Sequence, residues 1–263
     1  MTLPTTFFVS GGDGYRATEL CRGPWDRGSA HGGPVAALIG REAERFDPDP
    51  ALATVRFTIE LLRPVPLGQL RFERTLLRPG KRVRLIGLSL LHEQTEVARA
   101  TGLRVLRVPP DIPAAAAPSP PALPGPGDLP PAPSLATDGV GIPDGVELRA
   151  AYGSATEAGP AAYWFRVRSP LVDDEPVTPL TRALVAADFG NGIGSVLSIE
   201  EHVFINPDLT VTLHRLPEGD WVLNEARTWL HPGGGAIAEA TLSDQLGPVG
   251  RAEQALFVAA RSG

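Results

Sequence analysis

Asp188 is the acid best placed for chemistry. It lies in "RALVAADFGNGIG", Arg182 to Gly194, where an apolar, helix-like run ends on it and glycine-rich chain follows at once. The helix dipole disfavours an acid at a helix C-terminus. A residue set against its own local electrostatics points to another role, and a carboxylate can serve as a general base. Two familiar motifs do not account for it. "DFG" binds metal in kinases only alongside a glycine-rich loop, an upstream lysine and an H-R-D loop. This chain has a single lysine, Lys81, and no H-R-D. "GNGIG" brings its third glycine one residue too early for a dinucleotide fingerprint, and no helix-forming run with an acidic follow-up succeeds it. The second candidate cluster is "HGG", His31 to Gly33, at the head of another helix-like run. Without side chains, Gly32 and Gly33 let a ligand oxygen approach backbone N–H groups at a helix start. His31 suits a local hydrogen bond there; a base is the second reading.

Other chemistry is thinly represented. Ser29 and Ser195 lie outside any G-x-S-x-G elbow. His92, His202, His214 and His231 form no H-x-H or H-E-x-x-H spacing. The single cysteine, Cys21, can build neither a zinc site nor an intramolecular disulfide. No metal and no cofactor is implied. The net charge of −6 argues against a nucleic-acid partner. No apolar stretch reaches the ~18 residues of a membrane span, and the N-terminus lacks the basic start and apolar run of a signal peptide. A reduced, cytoplasmic protein is the expectation.

The elements that must position these residues fall in two halves. "PPDIPAAAAPSPPALPGPGDLPPAP", beginning at Pro109, is too rich in proline for a helix or central strand. It reads as a semi-extended linker. The expected organisation is an N-terminal domain over residues 1–108, a proline-rich linker over 109–145 and a C-terminal domain over 146–263. The halves echo one another. "TIELLR" from Thr58 resembles "TVTLHR" from Thr210, and "VARA" from Val97 resembles "VGRA" from Val249. Both pairs share one offset, 210 − 58 and 249 − 97 being 152, which indicates duplication. Each half carries one helix. "HGGPVAALIGREAERF" sets Val35, Leu38 and Ile39 against a charged face of Arg41, Glu42 and Glu44. "TPLTRALVAAD" has Thr178 as N-cap and Pro179 at the first helical position. Period-2 segments follow each helix, as in "ATVRFTIELL" with Val55, Phe57, Ile59 and Leu61 on one face. The fold class is α+β, an antiparallel sheet wrapped around one helix in each copy.

In this arrangement "GPWDRGSAHGGPVAAL", "TIELLRPVPLG", "LNEARTWLHPGGGAIAEATL" and "GRAEQALF" resemble the type II (TesB-like) acyl-CoA thioesterases. The resemblance covers nearly the whole chain apart from the linker, and it implies a double hotdog fold of two tandem hotdog domains. It also implies a catalytic group that holds water against a thioester. Asp188 matches the family's helix-end aspartate and Gln254 its C-terminal glutamine. Asn206 stands where the family usually carries a serine or threonine. His31, Gly32 and Gly33 would then form the oxyanion and substrate-binding side, because in this family the helix start of one copy faces the helix acid of the other. The first copy has Ile39 and Gly40 where its own acid would be needed, implying one site per chain. The partner implied is an acyl-CoA, and a homo-oligomer is expected. Two other readings of this fold remain: a non-catalytic acyl-thioester binder, and a hydratase or dehydratase, whose D-x-N-P-x-H or H-x-x-x-G-x-x-x-x-P signatures "DFGNG" and "HGGPV" do not match.

Overall fold

A computed structural model describes residues 4–108, 119–133 and 139–261. The first half contains β1 (Phe8–Gly11), β2 (Gly14–Ala17), α1 (Gly32–Arg45), β3 (Leu52–Leu61), β4 (Gln69–Arg78), β5 (Val83–His92) and β6 (Thr95–Leu106). The second contains α2 (Ile142–Gly145), β7 (Val146–Tyr152), β8 (Ala161–Val167), α3 (Pro179–Asp188), α4 (Gly190–Ile193), β9 (His202–Ile205), β10 (Asp208–Leu213), β11 (Trp221–Leu230), β12 (Ala236–Asp244) and β13 (Gly247–Ala260). Twelve strands form one path, β1-β2-β4-β5-β6-β3-β10-β13-β12-β11-β8-β7, and β9 pairs with β13. Read inward from either end, the two halves of that path have the same order.

The duplication is visible in the register. Thr58 pairs with Thr101 across β3 and β6, and Thr210 pairs with Glu253 across β10 and β13. Both members of the second pair stand at the same offset, 210 − 58 and 253 − 101. The two halves join where β3 meets β10, and there Thr58 pairs directly with Thr210. A residue facing its own counterpart places the pseudo-two-fold axis at this pair.

α1 and α3 pack against each other inside the wrapped sheet. α3 is capped by Thr178, whose hydroxyl accepts from the Thr181 N–H, and Pro179 occupies its first position, where no intrahelical donor is needed. In α1, His31 is the N-cap, and Val35, Leu38 and Ile39 are fully covered. Burying each such side chain contributes roughly 1.5–3 kcal/mol. The charged face expected of α1 is not a solvent face: Arg41 is only 7% and Glu42 only 2% exposed. They are tolerated because they are paired. Glu42 accepts from Tyr15 Oη at 2.6 Å and Arg41 at 2.7 Å, and also from Arg74. Arg41 in turn donates to Glu175 at 2.6 and 2.8 Å.

Glu44 lacks such compensation. Burial raises its carboxyl above the usual range, only partly offset by the Thr178 hydroxyl and Arg104. A carboxyl whose folded-state pKa lies above its unfolded value costs stability as pH climbs through the carboxylate range. Glu44→Gln, which still accepts from Thr178, is therefore expected to raise Tm at neutral pH. That gain should shrink to nothing at pH 3, where both forms are neutral; thermal melts at the two pH values check it.

Part of the expected linker is held down. Trp164 Nε1 donates to Pro124 O at 2.9 Å, Arg149 donates to Pro126 O and Leu129 O at 2.6 and 3.0 Å, and Ala132 N–H donates to Leu148 O at 2.7 Å. Leu123 and Leu129 pack on a small cluster of Ala162, Trp164 and Leu223. The expected linker stretches 109–118 and 134–138 lie outside the described residues. Cys21 is buried, and burial pushes its thiol well above the ordinary range. Among the described residues no helix is long and apolar enough to cross a membrane.

Candidate active site

The antiparallel helix pair brings the end of α3 to the start of α1. Asp188, the last residue of α3, is 2% exposed. One carboxylate oxygen, Oδ2, lies 2.9 Å from His31 Nδ1. The other, Oδ1, accepts from Asn206 Nδ2 at 3.0 Å and Gln254 Nε2 at 3.4 Å. Residues far apart in the chain thus converge on one buried carboxylate. A turn and a strand supply the amides: Asn206 sits in the turn between β9 and β10, and Gln254 is buried on β13. A third, Asn224 on β11, donates to Ala186 O at 2.7 Å and so pins the last turn of α3.

At the head of α1 the Gly33 N–H donates to His31 Nδ1 at 3.0 Å. The same nitrogen faces Asp188. Nδ1 carries either a lone pair for the Gly33 N–H or a proton for Asp188, and one ring nitrogen cannot do both at once. The His31 ring rests on Phe189, with centroids 4.7 Å apart. The Gly32 N–H, first of the helix, has no hydrogen-bond partner among the described residues. Any larger residue at 32 would collide with the acid, since a Cβ there would lie 2.6 and 2.7 Å from the two carboxylate oxygens.

A cavity of about 440 Å³ opens over this junction. His31, Gly32, Asp188, Asn191 and Asn206 line it around the acid, and Asp26, Ser29 and Arg63 add further polar lining. Trp25, Val35, Leu61, Leu62, Ile205 and Phe257 make most of the remaining wall apolar. Gln254 and Gly33 stand behind the wall: Gln254 reaches the lining residues Asp188 and Asn191, and Gly33 reaches His31. A largely apolar cleft with a few convergent polar groups suits a ligand with a long apolar part and a polar reacting group.

All six residues singled out in the sequence meet here: Asp188, Gln254, Asn206, His31, Gly32 and Gly33. Asn191 and Asn224 were missed. Asn191 stands three positions beyond Asp188, inside the very stretch that drew attention, but its partner Gln254 is 63 residues away. Asn224 carried no signal beyond an amide amid apolar strand residues. α4 was also unforeseen; "GNGI" makes one helical turn, Gly190–Ile193.

The opposite end of the helix pair corrects one expectation. The first copy does carry an acid there: Glu44, near the end of α1, accepts from Thr178, the N-cap of α3, at 2.7 Å. The pair mirrors Asp188 and His31. Its supporting cast is missing, however. The offset that maps Thr210 onto Thr58 maps Gln254 onto Gly102 and Asn206 onto Thr54, and Pro179 has no N–H to offer at the helix start.

Two family models match the chain in succession. The acyl-CoA thioesterase N-terminal domain matches residues 21–105, and the acyl-CoA thioesterase C-terminal domain matches residues 126–258. No curated protein matches. Among solved structures, one from Novosphingobium aromaticivorans is 21% identical, with 97% of this chain and 99% of that one covered and a TM-score of 0.74. A hot dog fold protein from Alicyclobacillus acidocaldarius is 17% identical over 98% and 97%, with a TM-score of 0.74. An acyl-CoA thioesterase II from Mycobacterium marinum is 17% identical over 95% and 94%, with a TM-score of 0.68. At these identities the structures establish the fold, a double hotdog.

Proposed function

Because this chain belongs to the acyl-CoA thioesterase family and is a thioester hydrolase, we propose that it cleaves an acyl-CoA by direct water attack in the Asp188 cavity. Asp188 is the general base. One observation carries the reading: a buried carboxylate and a helix-start N–H, at Gly32, with no partner among the described residues lie side by side in a largely apolar cleft. The acyl chain lies along Val35, Leu61 and Leu62, and the thioester carbonyl points at the start of α1.

With Oδ1 held by Asn206 and Gln254, the water sits on the Oδ2 side. Asp188 takes a proton from that water as the oxygen adds to the thioester carbon. The carbonyl π electrons move onto the oxygen, where helix-start donors stabilise the developing charge. When Nδ1 of His31 carries the ring proton and hydrogen-bonds to Asp188 without transferring it, the Gly33 N–H is released and joins Gly32 as a donor. Collapse of the tetrahedral intermediate breaks the C–S bond, and the proton held by Asp188 passes to the departing thiolate. The products are a free acid and coenzyme A. In this scheme Gln254 and Asn206 position the water through the carboxylate they hold.

The test is thiol release from acyl-CoA esters of graded chain length, with matching acyl-carrier-protein esters alongside. Turnover that rises with chain length until the cavity is filled supports the proposal. No thiol release from any ester would sink it and leave a non-catalytic acyl-thioester binder.

A further inference from the structure

Asn191 touches both amides that hold Asp188. It is 7% exposed, sits on α4 and lines the cavity. Its backbone N–H donates to Gln254 Oε1 at 3.0 Å. Its side-chain Nδ2 donates to Asn206 Oδ1 at 3.3 Å and to Phe204 O at 3.4 Å. Every hydrogen bond it makes to the two amides is as a donor, and every one lands on an amide oxygen.

That polarity has a consequence at Asp188. A primary amide has one accepting and one donating end, and the surrounding network decides which way it faces. With its oxygen taken by Asn191, Gln254 can turn only its nitrogen to the acid, 3.2 Å from Asp188 O and 3.4 Å from Oδ1. Asn206 is constrained likewise: its nitrogen reaches Asp188 Oδ1 at 3.0 Å and Asp208 O at 3.1 Å. A flip of either amide would set oxygen against oxygen in a buried site, and unpaired buried polar groups are costly.

We propose that Asn191 is a positioning residue that fixes the amide polarity of Gln254 and Asn206, so that both present donors to Asp188. It does not touch the reacting atoms; it acts through the two amides. The inference rests on the hydrolytic reading of this site.

Two substitutions separate polarity from shape. Asn191→Ala keeps the backbone N–H on Gln254 and removes the side-chain donor to Asn206 and to Phe204 O. Asn191→Asp keeps the shape but presents an acceptor to Asn206 Oδ1, which drives that amide to flip and turn its oxygen on Asp188. A role in packing alone makes the isosteric aspartate the milder change. A role in polarity reverses the order: kcat falls about 3-fold in the alanine variant and at least about 10-fold in the aspartate variant, since hydrogen bonds to charged groups are the strong ones. KM should stay within about 2-fold in both. On an Asn206→Ala background the Asn191 side chain has no amide left to orient, Gln254 being held by the backbone N–H, and Asn191→Ala should then cost nothing further in kcat. An aspartate variant as active as the alanine variant or more so, losses confined to KM, or an undiminished alanine effect on that background would each overturn the proposal. Should the aspartate variant fail to fold, the alanine pair still decides. Hydrolysis by Asp188→Asn at the wild-type rate would instead remove the reading of the site itself.

Discussion

Asp188→Asn is expected to lower kcat by about 10²–10⁴-fold, the usual cost of losing a general base, with KM changed little. The variant isolates the base because it can keep the hydrogen bonds around it. An asparagine oxygen in place of Oδ1 still accepts from Asn206 and Gln254, and its nitrogen in place of Oδ2 can donate to His31 Nδ1. At most one donor at His31 Nδ1, the new nitrogen or the Gly33 N–H, loses its partner, so Tm should move by no more than a few degrees. A steady-state assay with a thermal melt checks both halves of the expectation. Wild-type turnover in the variant would remove Asp188 from the chemistry. A collapse in Tm would make it a structural acid. A fall in kcat/KM arising wholly from KM would place it in ground-state binding instead.

How much of this was legible in the sequence depended on how local each signal is. Thr178 and Pro179 announce the start of α3 because capping is settled within one turn. The strand segments of each half were legible in period-2 patterning, and the shared offset made Thr58 and Thr210 counterparts, but that they pair with each other is set by how the halves join. Asp188 and the "HGG" pair could be singled out one by one, since an acid at a helix end and glycines at a helix start each break a local rule. Their convergence could not be read locally. It depends on α1 and α3 packing antiparallel, and only the family resemblance brought Asn206 and Gln254 into consideration. Glu44 was misjudged for the same reason. The alignment of one helix on the other was taken from chain position, whereas the packed pair sets Glu44, not Ile39 or Gly40, against the opposite cap. Arg41 and Glu42 looked like a wet face because their partners Tyr15, Arg74 and Glu175 come from distant elements.

The two ends of the helix pair show what an acid alone does not accomplish. Glu44 and Asp188 occupy related places, each beside the N-cap of the other helix. Of the two, only Asp188 has two amides donating to one of its oxygens and, beside it, a glycine whose N–H has no partner among the described residues. At the Glu44 end a proline has replaced the donor, and Gly102 leaves nothing where Gln254 would reach in. Burial with a single hydroxyl donor leaves Glu44 a liability to stability; two amide donors hold Asp188 in a fixed orientation.

Gly32→Ala tests that contrast at the other partner, and its effect is expected to rival the loss of the base. The added methyl would lie 2.6, 2.7 and 2.8 Å from Asp188 Oδ1, Oδ2 and Cγ. Asp188 cannot simply swing away, because Asn206 and Gln254 hold one oxygen and His31 faces the other. Either the carboxylate or the start of α1 must shift, by something near an ångström. A displacement of that size among reacting groups costs about 10²-fold, and loss of one oxyanion donor costs about 10²–10³-fold. kcat/KM should therefore fall by at least about 10²-fold. Gly192→Ala is the matched control: nothing lies within 4 Å of a Cβ there, so its activity should stay within about 2-fold of wild type by the usual tolerance of unstrained surface substitutions. Near-normal hydrolysis by Gly32→Ala would mean that the acid and the helix start need not be in contact for turnover. The thioester oxygen would then have to be received elsewhere in the cavity.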